Sequence, residues 1–210
     1  MNRWAVSGRG LAAGLLIAAA VPPWGWWPAA FIGLALLDRL VAERPTGSRF
    51  RRGLLVGAAW AFPSTVWMLD LTPVGWVAAG LLHALWLGLA AAAVPPGRWR
   101  RLGLVGTVTL AELVRWSVPF GGAPLASIAL GQAGGPLAPV VRIAGPLLLV
   151  ALTVAIGVGL SALFDGQRAD GASALTGTVV VAVLAAAAVL SAVAPTGQVV
   201  GTLDVAVVQG

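Results

Sequence analysis

The sequence contains no cysteine, no lysine and no tyrosine, and it has a single histidine, His83. Without cysteine there is no disulfide framework, no thiolate metal ligand and no thiol nucleophile. One histidine argues against a metal site as well, and we expect neither a metal nor a cofactor. Acidic residues are scarce. The chain has seven of them and thirteen basic residues, all Arg, which gives a net charge of +6. The Arg residues form short clusters between apolar runs, which is typical of membrane anchors rather than of a nucleic-acid interface.

Apolar residues dominate what is present. They make up 59% of the chain, charged residues make up 10%, and the mean hydropathy is +0.94. A soluble chain of 210 residues could not bury so much apolar surface. We therefore predict an all-α integral membrane protein with about seven transmembrane helices, each approaching the roughly 20 residues that a bilayer core requires. The apolar runs lie near 5–21, 28–42, 53–70, 74–94, 102–118, 137–163 and 174–194.

Two features set the predicted domain limits. The first run also resembles a signal peptide, but a retained helix is favoured because residues 22–28 look like a tight interfacial turn into the second run. At the other end, residues 203–210 alternate like a strand after a Pro-Thr-Gly break. A lone strand cannot form a domain. We expect a transmembrane domain over 1–196, and over 197–210 a linker and the first strand of a soluble domain that is otherwise missing.

The Arg residues predict the orientation of these helices. Eleven of them fall on the side of the N-terminus, and only Arg115 and Arg142 fall on the other side. Because cytoplasmic loops collect Arg, the N-terminus is predicted to be cytoplasmic. With seven spans, the C-terminus would emerge outside the cytoplasmic membrane.

Ionisable residues inside apolar runs are the first candidates for function, since they are costly in lipid. Glu112 and Arg115 are three residues apart, so on a helix they share a face and can pair. The pair is either structural, or Arg115 attracts a phospholipid phosphate with its forked guanidinium. Asp70 is interpreted as a solvated cap and His83 as a helix-packing residue.

Tryptophan is abundant, with ten residues. Near predicted helix ends an indole anchors a protein in the headgroup region, although some indoles could instead form a lipid-binding platform. Trp116 directly follows Arg115, and we group it with Glu112 and Arg115 as a candidate substrate-binding residue. The residues near predicted helix ends are Trp24, Trp26, Trp27, Trp76, Trp99 and Trp116. Separately, Gly53-x-x-x-Gly57 could allow two helices to approach closely.

Residues 117–136 are apolar but rich in Pro and Gly, so a plain helix is excluded. Irregular backbone at membrane depth is tolerated only where protein covers it or where it lines a cavity. We predict a loop or re-entrant segment at the outer face.

Three sequence features together resemble bacterial apolipoprotein N-acyltransferase of the actinobacterial type. They are the Pro-Pro-Trp-Gly-Trp-Trp-Pro turn at 22–28, the Glu-Leu-Val-Arg-Trp helix end at 112–116 with Pro-Phe-Gly-Gly-Ala-Pro and Leu-Gly-Gln after it, and Val-Ala-Val-Val-Gln-Gly at 205–210. The resemblance implies an eight-helix membrane domain with an extracytoplasmic nitrilase-like domain between the last two helices. It further implies transfer of an acyl chain from a phospholipid to an enzyme cysteine, and then to the N-terminal diacylglyceryl-cysteine of a lipoprotein.

The chain departs from that family in its catalytic residues. The implied triad is Glu, Lys and Cys, but this sequence has no Lys or Cys, and its only Glu residues are Glu43 and Glu112. No catalytic residue is carried over, and we expect the chain alone to be inactive. Two other functions stay open: a membrane scaffold for a polyprenol-phosphate glycosyltransferase, or a small transporter, which would need more polar residues at the midplane.

Overall fold

A computed structural model describes residues 3–118, 122, 124–166, 172–196 and 201, so the predicted strand at 203–210 lies outside it. The described part is helical and contains no strand. Its α-helices are α1 (Arg3–Ala20), α2 (Trp27–Val41), α3 (Thr46–Ser64), α4 (Pro73–Ala93), α5 (Arg100–Arg115), α6 (Ile128–Gly131), α7 (Val141–Gly166) and α8 (Ala172–Val193). Short 3-10 helices occupy Val66–Asp70, Gly97–Trp99 and Ala138–Val140.

Each of the seven predicted apolar runs corresponds to one long helix, which confirms the all-helical prediction for the described residues. Two helical segments, Pro73–Ala93 and Ala138–Phe164, are long and apolar enough to cross a membrane, and Val6–Ala20 is a shorter apolar helix. The count of seven spans stays a prediction.

The third run differs from its predicted limits of 53–70, because α3 begins at Thr46 and ends at Ser64. The hydropathy pattern put the start of this run at Gly53, after Arg49, Arg51 and Arg52. The helix nevertheless contains all three arginines. Their side chains bond to backbone carbonyls, as in the contact from Arg51 Nε to Gly47 O at 3.3 Å. At the other end, Thr65 Oγ1 donates to Ala61 O at 2.8 Å and helps to end the helix.

A break interrupts α7 one turn after it begins. Ala144 (φ −143°) and Gly145 (φ +72°) leave the helical region, and Pro146 follows them. A positive φ is accessible to glycine at little cost, and Pro146 has no N–H to continue the helical hydrogen bonds. The first turn of α7 is therefore set off from the rest of the helix.

The core lies between α1, α2, α3, α4, α5 and α7, and Ile17, Leu34, Leu37, Val56 and Val154 are almost completely buried in it. Glycine permits the closest helix contacts. A Cβ on Gly53 would lie 2.7 Å from Leu87 O, and one on Gly57 would lie 2.8 Å from Ala84 Cα. The predicted close approach at Gly53 and Gly57 is thus confirmed, and the partner helix is α4.

Buried arginines join two connections at one end of the bundle, which we call the arginine end (residues 38–52 and 92–101). Arg100 pairs with the fully buried Asp38, and also donates from Nη1 to Asp38 O at 3.0 Å. Arg49 Nη2 donates to Ala92 O at 3.3 Å, and Arg52 Nη1 to Leu40 O at 2.6 Å. These bonds satisfy carbonyls where α2 and α4 end.

The opposite end holds the connections 21–26 and 65–72 and the described residues of 116–140, and we call it the loop end. Gln132, which is fully buried, links the last of these connections to the start of α2 by donating from Nε2 to Trp27 O at 3.0 Å. Among the described Arg residues after Arg9, eight lie at the arginine end and only Arg115 and Arg142 lie toward the loop end. The segregation by end matches the predicted one, while the direction in which each end faces stays a prediction.

Candidate functional site

Glu112 and Arg115 occupy the last turn of α5, at the loop end. Arg115 Nη2 donates to Glu112 Oε1, so the predicted pairing is confirmed. Each residue is only 3% exposed, and the pair is therefore buried rather than set on the surface. A buried pair repays its desolvation only when further hydrogen bonds satisfy both partners, and such bonds are present.

Arg115 is held by three groups. Besides bonding to Glu112, it donates from Nη1 to Leu125 O at 2.9 Å, and its Cζ lies 5.3 Å from the centre of the Trp60 ring. Both terminal nitrogens are thus bonded within the protein, and only Nε has no partner among the described residues. The phosphate-binding role of Arg115 stays a prediction.

Ser127 satisfies the second oxygen of the Glu112 carboxylate. Its Oγ donates to Glu112 Oε2 at 2.7 Å and accepts from Ala129 N at 3.1 Å, so one buried hydroxyl both binds the carboxylate and caps α6. The short helix α6 is thereby joined to the end of α5.

His83 also contacts the irregular segment, the name that we give to the Pro- and Gly-rich residues 117–136. Sequence reasoning did not foresee this contact. Its Nε2 lies 3.0 Å from Leu125 O, the same oxygen that Arg115 bonds, and its Nδ1 lies 2.8 Å from Ala79 O. Either tautomer of a neutral ring donates to one of these oxygens. The partner is 42 positions away along the chain, so no local pattern could have indicated it. We call Glu112, Arg115, His83, Leu125 and Ser127 the segment clamp.

An apolar pocket of about 650 Å³, largely open to its surroundings, adjoins the clamp at the loop end, and we call it the apolar cavity. Trp116 and Ser127 both contribute to its wall, so the clamp and the cavity share a boundary. The Trp116 indole Nε1 is buried and has no partner in the described part of the chain. The remaining wall residues come from the irregular segment, from the 3-10 helix Ala138–Val140 and from α7: Pro124, Ala129, Leu130, Ala133, Ala138, Val141, Pro146 and Leu149.

The other sequence candidates lie elsewhere. Asp70 is exposed at the end of the 3-10 helix Val66–Asp70, which agrees with a solvated position. Of the tryptophans near helix ends, Trp24, Trp26 and Trp99 are about half exposed or more. Trp76 is partly buried and donates from Nε1 to Phe62 O at 3.1 Å. Among the described residues no group of three or more His, Cys, Asp or Glu side chains could hold a metal ion.

Comparison with known proteins gives a consistent result. A family model described as the apolipoprotein N-acyltransferase N-terminal domain matches residues 13–159. An apolipoprotein N-acyltransferase of Mycolicibacterium smegmatis is 30% identical over 182 residues, covering 78% of this chain and 28% of that protein. One of Caulobacter vibrioides is 36% identical over 138 residues, covering 56% of this chain and 26% of that protein. The chain therefore spans less than a third of the length of these relatives.

Proposed function

The chain belongs to the apolipoprotein N-acyltransferase family, and we propose that it forms the membrane region in which such an enzyme collects its lipid substrates. The donor would be a phospholipid, and the acceptor would be the diacylated N-terminal cysteine of an apolipoprotein. The acyl-transfer chemistry itself needs a nucleophile and a base, and the sequence offers no thiol. The contribution of this region is binding and orientation in the cytoplasmic membrane.

The observation that carries the proposal is the apolar cavity at the loop end. Its volume of about 650 Å³ lies within the roughly 300–1,000 Å³ typical of small-molecule sites. Apart from Ser127, its walls are built from Leu, Val, Ala, Pro and Trp side chains. Each methylene that moves from water into such a wall contributes about 0.8 kcal/mol. An acyl chain is the kind of ligand that such a wall selects.

The three candidate site residues have different roles in this proposal. Trp116 lines the cavity and would contact the lipid directly. Glu112 and Arg115 are positioning residues, because they bond Ser127 and Leu125 and so hold the irregular segment that forms the wall.

The distribution of Arg between the two ends of the bundle also bears on how the chain is oriented in the membrane. We propose that the arginine end is cytoplasmic and the loop end extracytoplasmic, so that the cavity opens below the place where the family resemblance puts a nitrilase-like domain. A thiolate on that domain could then reach an ester carbonyl held at the outer leaflet. The Arg segregation between the two ends supports this orientation.

Photocrosslinking tests the lipid site. The purified chain is mixed with a phospholipid that carries a photoactivatable acyl chain, and the labelled peptides are mapped. We expect labelling within 124–149 and a clear loss of it in Ala133→Trp, because the added ring fills the cavity. Ala78→Trp, the same change at an exposed position of α4, should leave the labelling unchanged. Equal labelling in both variants, or labelling that follows lipid-exposed helix faces only, would show that the cavity does not hold the acyl chain.

A further inference from the structure

The arginine end carries more arginines than carboxylates. Its two acidic residues are Asp38, which is buried and pairs with Arg100 and Arg101, and Glu43, which is exposed and makes no ion pair in the described part of the chain. Its basic residues are Arg39, Arg44, Arg49, Arg51, Arg52, Arg98, Arg100 and Arg101. Arg49 and Arg100 are buried and bond to the ends of α4 and α2, so their role is structural.

Arg44, Arg51 and Arg52 form a second group, which we call the arginine triplet. Arg52 is fixed by the bond from Nη1 to Leu40 O, and Arg51 by the bond from Nε to Gly47 O. Arg44 is exposed in the short connection between α2 and α3.

The arginine triplet gathers at one corner of the fold, where α2 ends and α3 begins. Arg52 reaches the carbonyl of Leu40 near the end of α2, Arg51 reaches the carbonyl of Gly47 in the first turn of α3, and Arg44 lies in the connection between these helices. Among the described residues no carboxylate pairs with any of the three. Like charges held together without a counter-charge cost free energy, and a bound anion would relieve that cost. The backbone bonds also reduce the side-chain entropy lost when an anion binds.

We propose that the arginine triplet binds the phosphate group of an anionic phospholipid in the leaflet that the arginine end faces. Guanidinium groups match phosphate oxygens with paired donors. Basic clusters directly beside a membrane helix attract anionic lipids. Trp99, with its ring 56% exposed beside Arg98, is suited to the interfacial depth that lipid headgroups occupy. The site lies at the end of the bundle opposite the apolar cavity, so its lipid is not the proposed acyl donor.

Lipid titration of the purified full chain in a neutral detergent tests this site. Thermal unfolding is followed while phosphatidylglycerol, phosphatidylcholine or inorganic phosphate is added. Phosphatidylglycerol should raise the unfolding temperature in a saturable manner, and the other two should not. Arg51→Gln should weaken the apparent affinity about fivefold, since one arginine near an anionic surface contributes on that order. Arg98→Gln removes the same charge from the same end and should leave the affinity unchanged.

Three results would overturn the proposal. Equal weakening by Arg98→Gln would mean that only general surface charge attracts the lipid. Equal stabilisation by inorganic phosphate would mean that the triplet binds a soluble anion. If Arg51→Gln unfolds too readily to be titrated, Arg44→Gln gives the same test, because Arg44 lies in a connection outside the helices; an unchanged affinity there would also reject the site.

Discussion

Ser127 donates a 2.7 Å hydrogen bond to Oε2 of Glu112, and both side chains are buried. This bond crosses fifteen positions of sequence and joins the end of α5 to the irregular segment. Because Arg115 bonds the other carboxylate oxygen, Glu112 has both oxygens satisfied without water. The wall of the apolar cavity therefore depends on a charged group that never reaches the surface.

Removing one member of the buried pair should destabilise the protein strongly. Arg115→Ala leaves the Glu112 carboxylate buried and uncompensated, and we expect the free energy of unfolding to fall by about 3–5 kcal/mol. Glu112→Gln should have a comparable effect. Unfolding in mixed micelles measures both, with Arg142→Ala, an exposed arginine near the same end, expected to stay within about 0.5 kcal/mol. A stable Arg115→Ala variant that nonetheless loses lipid labelling would support the predicted phosphate-binding role of Arg115.

Ser127→Ala should cost less, at about 1.5–3 kcal/mol, because a hydrogen bond to a charged group is lost while the ion pair survives. Ser117→Ala is the matched control. Its hydroxyl bonds only to Leu113 O at 3.1 Å in an exposed position, so the change should be small. The same unfolding assay compares the two. Equal losses would mean that the Ser127 bond to Glu112 contributes little.

Gly57→Ala should destabilise the contact between α3 and α4, because the new Cβ would lie 2.8 Å from Ala84 Cα and backbone atoms cannot give way cheaply. Gly106→Ala makes the same substitution within α5, where nothing lies within 4 Å of the new Cβ. That variant should be unchanged or more stable by roughly 0.5–1 kcal/mol. If both variants behave alike, the close approach does not limit stability.

The proposed orientation can be tested with single cysteines, since the chain has none of its own. Gly134→Cys at the loop end should react with a membrane-impermeant maleimide in intact spheroplasts. Pro96→Cys at the arginine end should react only after permeabilisation. Both positions are exposed. The reverse labelling pattern would invert the topology and remove the cavity from the outer leaflet.

The chain alone should form no covalent acyl intermediate. It contains no thiol to accept the acyl group, so incubation with radiolabelled phospholipid should leave no label on the denatured polypeptide. A full-length relative serves as the positive control, and its label should be released by hydroxylamine. Label on this chain would show that another nucleophile performs the acyl transfer.

Sequence patterns predicted the helices well because hydropathy and Pro or Gly placement act over neighbouring residues. The run at 74–94 was located almost to the residue, as α4 covers Pro73–Ala93. The run at 53–70 was misplaced, because a hydropathy scale treats Arg51 and Arg52 as polar and takes no account of tertiary contacts. Both side chains bond to backbone carbonyls in the structure. The pairing of Glu112 with Arg115 was also predictable, because a helix brings positions three apart onto one face.

The sequence by itself determined the membrane-type composition, the positions of most helices, the absence of a thiol and the presence of an ionic pair in α5. Only the tertiary structure decided that this pair is buried and that His83, 42 positions away from Leu125, converges with Arg115 on the same carbonyl oxygen. It also decided that residues 38–52 and 92–101 contact each other through the bonds of Arg49 and Arg100. The reason is physical: local patterns fix backbone conformation within a helix, whereas burial and contacts between distant residues depend on how the helices pack.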